Sequence, residues 1–226
     1  MKKLITVYTV FILLAGCTTN REEQGYFADF YNAWQEIKQQ ELVLNWTESQ
    51  QLPYATLRVN LAERSPALMP LGYLSPQQQK WYSKDSYGFT TENARITQIY
   101  NVDSEISSIK PSPLWQQLRL SSIKLNQSVT LPILIDYLSL KRIGVKASVT
   151  IHGDGYEVRQ LFGKNVRLFR VSEQIVIPSM KYEYTNYYWC DPQSGFIWES
   201  IQKWGPDVPK IYYQVLKPWQ ATNRPF

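Results

Sequence analysis

Ala55-Thr56-Leu57-Arg58-Val59-Asn60-Leu61 sets an apolar residue at every second position with a polar one between. Successive side chains of a strand point to opposite faces, so this alternation buries one face and wets the other. The period of two persists over most of the chain beyond Tyr54. Pro66 interrupts it, 67–74 resumes it, and Ser75-Pro76 begins a turn. The stretch 79–83 reads as a strand, 85–88 as a turn, and 87–91 and 95–99 as two short strands around Glu92-Asn93-Ala94. The segment 107–118 carries Pro111 and Pro113 and reads as a loop crossing between two β halves. Further on, 143–151 and 155–162 flank His152-Gly153-Asp154 as a hairpin, and 166–171 and 174–177 follow as strands. The run 181–189 leads through Cys190-Asp191-Pro192-Gln193-Ser194-Gly195 into 196–202. Pro192 presets φ and Gly195 accepts a positive φ, which makes this the clearest turn of the chain. The tail from Pro218 reads as frayed. These readings predict a mainly β fold, with antiparallel meander sheets forming a sandwich or a partly open barrel.

The amino terminus has a different character. Lys2 and Lys3 precede an apolar run that ends in Leu14-Ala15-Gly16-Cys17. The run is short of the ~20 residues a spanning helix needs, and small residues before a cysteine mark a cleavable lipoprotein signal. Residues 1–16 are therefore expected to be the signal peptide, with Cys17 the lipidated residue of the mature chain. Two or more acyl chains anchor a protein stably. Thr18 stands where aspartate is the usual inner-membrane retention signal, so the expected address is the outer membrane, facing the periplasm. Residues 17–25 read as a polar tether and 26–226 as a single β-rich domain. Phe27, Phe30, Tyr31, Trp34 and Ile37 recur at helical spacing and predict one amphipathic helix at the start of that domain.

Charge and side-chain chemistry exclude several function classes. The 24 Lys and Arg against 19 Asp and Glu are dispersed rather than clustered, and export separates the chain from nucleic acid, so no nucleic-acid partner is expected. With Cys17 lipidated, Cys190 has no partner in its own chain and reads as a small buried hydrophobe on a strand. The one histidine, His152, has no cysteine or histidine at ligand spacing, so neither metal nor cofactor is expected. A Ser-His-Asp triad would need His152, which the sequence places at a hairpin tip.

Two ordered blocks resemble the YjbF/GfcB family of group 4 capsule and exopolysaccharide lipoproteins. The first comprises Leu52-Pro53-Tyr54-Ala55-Thr56-Leu57-Arg58-Val59, Pro66-Ala67-Leu68-Met69, then Trp81, Ser83, Asp85 and Arg95-Ile96. The second comprises Glu173, Asn186, Tyr188-Trp189, Asp191, Ser194-Gly195, Trp198, Ser200 and Gln202. Ala94 stands where a glycine is expected, and the 75–79 connection lacks a glycine; both departures touch turns. The resemblance implies a periplasm-facing, lipid-anchored accessory factor in production or export of a surface polysaccharide. It implies no catalytic residues.

Three functions follow. A non-enzymatic accessory factor would contact polysaccharide or export-machinery proteins through exposed rings, which stack on sugar faces. Trp189 and Trp198, flanking the Asp191-Pro192 turn beside Asn186, Ser200 and Gln202, are the candidate surface if at least one ring is exposed. A glycan-modifying enzyme would need two carboxylates about 5 to 10 Å apart in a cleft. Of Asp154, Glu173, Asp191, Glu199 and Asp207, Asp191 reads as a turn residue and Glu199 as a solvated strand face. Glu173 stands out among them, as an acid or as a partner for Arg170. A scaffold lipoprotein for an outer-membrane barrel would instead show an exposed apolar patch away from the anchor.

Overall fold

The computed structural model describes residues 46–61, 66–84, 86–101 and 106–219. The signal, the tether and the amphipathic helix expected at 27–37 lie outside the described residues. Helix α1 (Trp46–Gln51) precedes β1 (Thr56–Leu61), β2 (Ala67–Leu74), β3 (Gln79–Tyr82), β4 (Gly88–Glu92), β5 (Arg95–Tyr100) and β6 (Ile106–Pro111). Helix α2 (Pro113–Gln117) follows, then β7 (Ser128–Tyr137), β8 (Arg142–Leu161), β9 (Lys164–Ile177), β10 (Tyr182–Cys190), β11 (Ile197–Gln202) and β12 (Ile211–Lys217).

These strands form one antiparallel sheet of twelve, in the order β5-β4-β3-β2-β1-β12-β11-β10-β9-β8-β7-β6. The order is a meander opened at one point. Each strand lies beside its sequence neighbour except β5 and β6, which approach each other without a ladder. The first and last strands join the halves through Leu57↔Val215, Val59↔Tyr213 and Leu61↔Ile211. The sheet curls into a partly open barrel, as the alternation predicts. Its interior is filled by Leu57, Val59, Met69, Phe89, Ile96, Ile135, Val149, Val171, Ile175, Tyr188 and Tyr213.

Several local readings are corrected. The expected loop at 107–118 is edge strand β6 and then α2. Ile109 is buried and pairs with Ile135, while Pro111 ends an edge strand, where its missing N–H costs little. Ser112 accepts a hydrogen bond from the Trp115 N–H and Pro113 opens the helix, so the second of the two prolines that suggest a loop is a helix-start residue. The expected hairpin at 152–154 is the middle of a 20-residue strand. Its two glycines serve a bulge between Gly153 and Gly155. A Cβ on Gly153 would stand 2.2 Å from the Lys124 carbonyl oxygen, and the Gly153 N–H donates to Gln127 O at 3.1 Å. The chain reverses instead at Phe162-Gly163, both at positive φ. Strands β7 and β12 were unread, and the 166–171 and 174–177 runs are one strand. The tail is anchored as far as Trp219: Pro218 is buried and the Trp219 ring lies 5.6 Å from Trp81. The Asp191–Gly195 turn stands as read, with Gly195 at φ +73.

Cys190 ends β10 as a buried free thiol, and that burial pushes it up to about 12 despite the nearby Arg95 charge. An unfolded thiol ionises near 9.0. Alkaline pH therefore favours the unfolded chain: the stabilisation is whole below 9 and is lost as pH rises through the folded value, by about 1.4 kcal/mol per pH unit. Native protein at pH 8 is expected to resist a polar thiol reagent that reacts at once in urea. Cys190→Ala should flatten the alkaline decline of stability between pH 9 and 12, measured by urea denaturation.

Candidate functional site

Of the residues that sequence reading placed on a surface, Trp198, Asn186, Ser200 and Gln202 lie inside the barrel and Trp189 is covered on its outer face. Trp198 is 0% and Trp189 4% exposed, and Asn186, Ser200 and Gln202 are fully buried. The condition for a ligand surface at these rings, one of them open to solvent, is not met. Each polar side chain has a structural task. Gln202 accepts from the Ile96 N–H at 2.8 Å and donates to Ala94 O at 2.8 Å and to the Ser200 hydroxyl at 2.9 Å. Ser200 donates to Tyr187 O, Asn186 accepts from the Lys203 N–H, and the Tyr213 hydroxyl donates to Ala94 O. Ala94 takes a positive φ at the β4–β5 turn, and these bonds hold that turn against β11 and β12.

Glu173 is the centre of the interior, not an acid in a cleft. Arg95 Nε lies 2.8 Å from Glu173 Oε1, with side chains 1% and 0% exposed. Trp115 Nε1 donates to the same oxygen at 3.2 Å and the Tyr188 hydroxyl to the other at 2.7 Å. Arg95 Nη1 donates to Leu118 O, and its guanidinium stacks 4.5 Å from the Trp115 ring centre. Burial and the Glu173 charge both push the Tyr188 phenol up, so it stays a proton donor. Two charges out of water are tolerable only when paired and hydrogen-bonded to this degree.

A second polar network covers the outer face of β8 to β12. Trp189 lies on this face and Trp198 on the opposite one, since Trp189 pairs with Glu199. The distal part of the β8–β9 hairpin covers it: Arg159 Nε meets Glu199 at 2.7 Å and stacks 4.3 Å from Trp189, while Glu157 accepts from Trp189 Nε1 at 3.0 Å. Glu199, read as solvated, is buried and also accepts from Tyr212 and Gln214. Burial pulls Glu157 up, but the Trp189 hydrogen bond and the Arg159 and Arg170 charges outweigh it and hold its carboxyl below the ordinary range. Arg170, considered as a partner of Glu173, pairs instead with Asp154 and Glu157. His152 lies 2.9 Å from Asp154, and Ser172 donates to that same oxygen rather than to the imidazole.

Two concavities flank the Asp191–Gly195 turn. The larger, about 570 Å³, is lined by Gln77, Gln79, Asn93, Arg119, Ser121, Ser194, Phe196 and Trp219. The Phe196 and Trp219 rings sit 5.2 Å apart on its wall, both half-buried. The smaller, about 390 Å³, lies across Ser121 and Ser194 and is lined by Lys124, Tyr156, Phe169 and Gln193. Asp191, the one carboxylate lining either among the described residues, accepts from the Gln193 and Ser194 N–H groups and the Ser194 hydroxyl within its turn. A Cβ on Gly195 would stand 2.6 Å from Ser121 Oγ, so this glycine also lets the turn approach the segment before β7. Sequence reading found the turn but not the cleft residues Gln77, Asn93 and Arg119. Gln77, Asn93 and Arg119 come from three separate connections and the Trp219 of the cleft from the segment after β12, with no shared motif.

The model of the family described as group 4 capsule polysaccharide lipoprotein gfcB, YjbF, matches residues 24–216. The chain belongs to the YjbF family. It is 26% identical over 218 residues to the uncharacterized lipoprotein GfcB of Escherichia coli (strain K12), covering 95% of this chain and 97% of that protein. Its fold resembles the crystal structure of the hypothetical lipoprotein YmcC from Escherichia coli (K12), with a TM-score of 0.68 and 25% identity over 85% of this chain and 96% of that one. Arg95, Glu173, Asn186, Tyr188, Ser200 and Gln202, which carry the family resemblance in sequence, are the residues of the interior network.

Glu173→Gln keeps the shape of the side chain but leaves Arg95 uncompensated, and should cost about 3 to 5 kcal/mol in urea denaturation followed by tryptophan fluorescence. Replacing both residues with methionine should recover most of that loss. A double variant no more stable than the single one would mean the pair is not the unit described.

Proposed function

We propose that this YjbF-family lipoprotein is a non-enzymatic accessory factor in production or export of a capsule or exopolysaccharide, and that it contacts the polymer in the cleft beside the Asp191–Gly195 turn. The observation that carries this reading is the make-up of the 570 Å³ cleft: two rings side by side, amides, hydroxyls and Arg119. Rings stack on the apolar faces of sugars while amides and hydroxyls bond their OH groups. Arg119 adds a site for an anionic substituent.

The alternative of a glycan-modifying enzyme has less support. Hydrolysis needs one carboxyl kept protonated and a second free to attack or to activate water. Glu173 and Glu199 are each committed to an arginine, and Asp191 to its turn. The scaffold reading is an outcome of the test below. Purified full-length lipoprotein is expected to retain the polymer without shortening it. Arg119→Ala and Trp219→Ala should each weaken retention, the ring by roughly tenfold. Trp219→Phe, which preserves packing against Trp81, should recover part of it. Cleavage of the polymer by the purified protein would establish the enzyme. Absence of any retention would favour the scaffold.

Residues 1–16 are proposed as the signal, 17–25 as the tether and 26–226 as one domain. Cys17 is proposed as the lipidated amino terminus, with the outer membrane, facing the periplasm, as its address. Mass spectrometry of the envelope form should find acyl chains on Cys17. Cys17→Ser should leave an uncleaved or soluble product, and density-gradient fractions should place the wild type with outer membranes.

A further inference from the structure

The β7–β8 hairpin ends in Leu138-Ser139-Leu140-Lys141-Arg142-Ile143, and every residue of this tip is exposed. The last ladder contact of β8 with β9 on this side is Ser148↔Val176, so the start of β8 projects by about 20 Å past the end of β9. Leu138 is 60% exposed, Leu140 38% and Ile143 81%, three large apolar side chains within six positions. Interleaved with them are the exposed cations Lys141 and Arg142, with Lys146 four positions on from Arg142. The stretch 138–146 contains no acid, and no ion pair among the described residues uses these three cations. The neighbouring carboxylate, Asp136, is engaged by Lys110 and the Gly144 N–H.

From this we infer that the β7–β8 tip is a membrane-docking element that inserts its apolar side chains among the headgroups of an anionic bilayer. A convex tip of branched apolar residues offers no groove for a peptide, but it fits the headgroup and acyl boundary, where apolar side chains leave water and long basic ones reach phosphates. Each cation near an anionic surface strengthens binding by roughly fivefold. The position along the barrel gives the docking a consequence. Strands β9 and β10 reverse at Pro178–Met180 on the side of the tip, whereas the Asp191–Gly195 turn and its cleft lie at the opposite end. The docked barrel therefore turns its cleft away from the lipid. The tip thereby selects which end of the barrel meets the bilayer.

The test uses the full-length lipoprotein reconstituted in vesicles of phosphatidylcholine with and without phosphatidylglycerol. A fluorophore is placed at Ser139→Cys, with Gln193→Cys in the distal turn as the control; native Cys190 is buried. Nitroxide-bearing lipids are expected to quench the label at 139 and not at 193, more strongly when phosphatidylglycerol is present. Lys141→Glu with Arg142→Glu should lower the docked-to-free ratio by roughly twentyfold or more. Leu138→Ser with Ile143→Ser should lower it in both lipid mixtures. Equal quenching at 139 and 193, or quenching at 139 by aqueous iodide alone, overturns the inference. So does shielding of 139 from both quenchers, which would place the tip against protein. Vesicle flotation reports the lipid anchor separately, and polymer retention by the Ser139→Cys protein reports the cleft.

Discussion

The Arg95–Glu173 pair ties together parts of the chain that the backbone ladder leaves apart. Strands β5 and β6 are the edges of the sheet, and no ladder pairs them among the described residues. Arg95 begins β5 and Glu173 lies on β9, so their contact crosses the interior rather than following the sheet. Trp115 from α2 enters between them, donating to Glu173 and stacking on Arg95. Edge strand, helix and opposite wall are thereby fixed to one buried charge pair. An isolated charge in such a place would be prohibitively costly, so the three elements must arrive together or not at all. Gln202 and Tyr213 extend the same constraint to the β4–β5 turn.

The two ends of the barrel follow from where polar groups find partners. The outer-face network of Asp154, Glu157, Arg159, Arg170 and Glu199 holds the distal part of the long hairpin against β11 and β12, and so commits those carboxylates to structure. Near the Asp191–Gly195 turn, four connections converge without filling the space between them, which leaves a ring-lined cleft. At the other end the β7–β8 hairpin outruns its neighbour and exposes leucines, an isoleucine and cations that form no ion pair among the described residues. One end is the proposed polymer site and the other the proposed contact with a charged lipid surface.

Much of the sheet was legible because its cause is local. The Ala55 to Leu61 alternation, the Ser75-Pro76 turn and the Asp191-Pro192 turn appear where the residues require them. The misreadings share a different cause. Pro111 and Pro113 looked like breakers, but one ends an edge strand and the other opens a helix. His152-Gly153-Asp154-Gly155 looked like a reversal, yet its first glycine is required by the Lys124 backbone brought against it from outside the strand. A glycine that admits a neighbour and a glycine that makes a turn are identical in sequence.

By itself the sequence determined that the chain is antiparallel β and where its clearest turn lies, because alternation and turn chemistry act over a few residues. It also carried the family, since the ordered blocks could be compared directly. Which rings face solvent was decided only by the tertiary structure. Period two separates the faces of a strand but does not say what covers each. Trp198 is covered from one side by Phe196, Phe162 and Trp46, and Trp189 from the other by Arg159 and Glu157 of the returning hairpin. Both faces of β10 and β11 are therefore buried. The pairing of Arg95 with Glu173 and the assembly of Gln77, Asn93, Arg119 and Trp219 around one cleft depend likewise on long-range closure of the sheet, which leaves no mark on any single stretch of the chain.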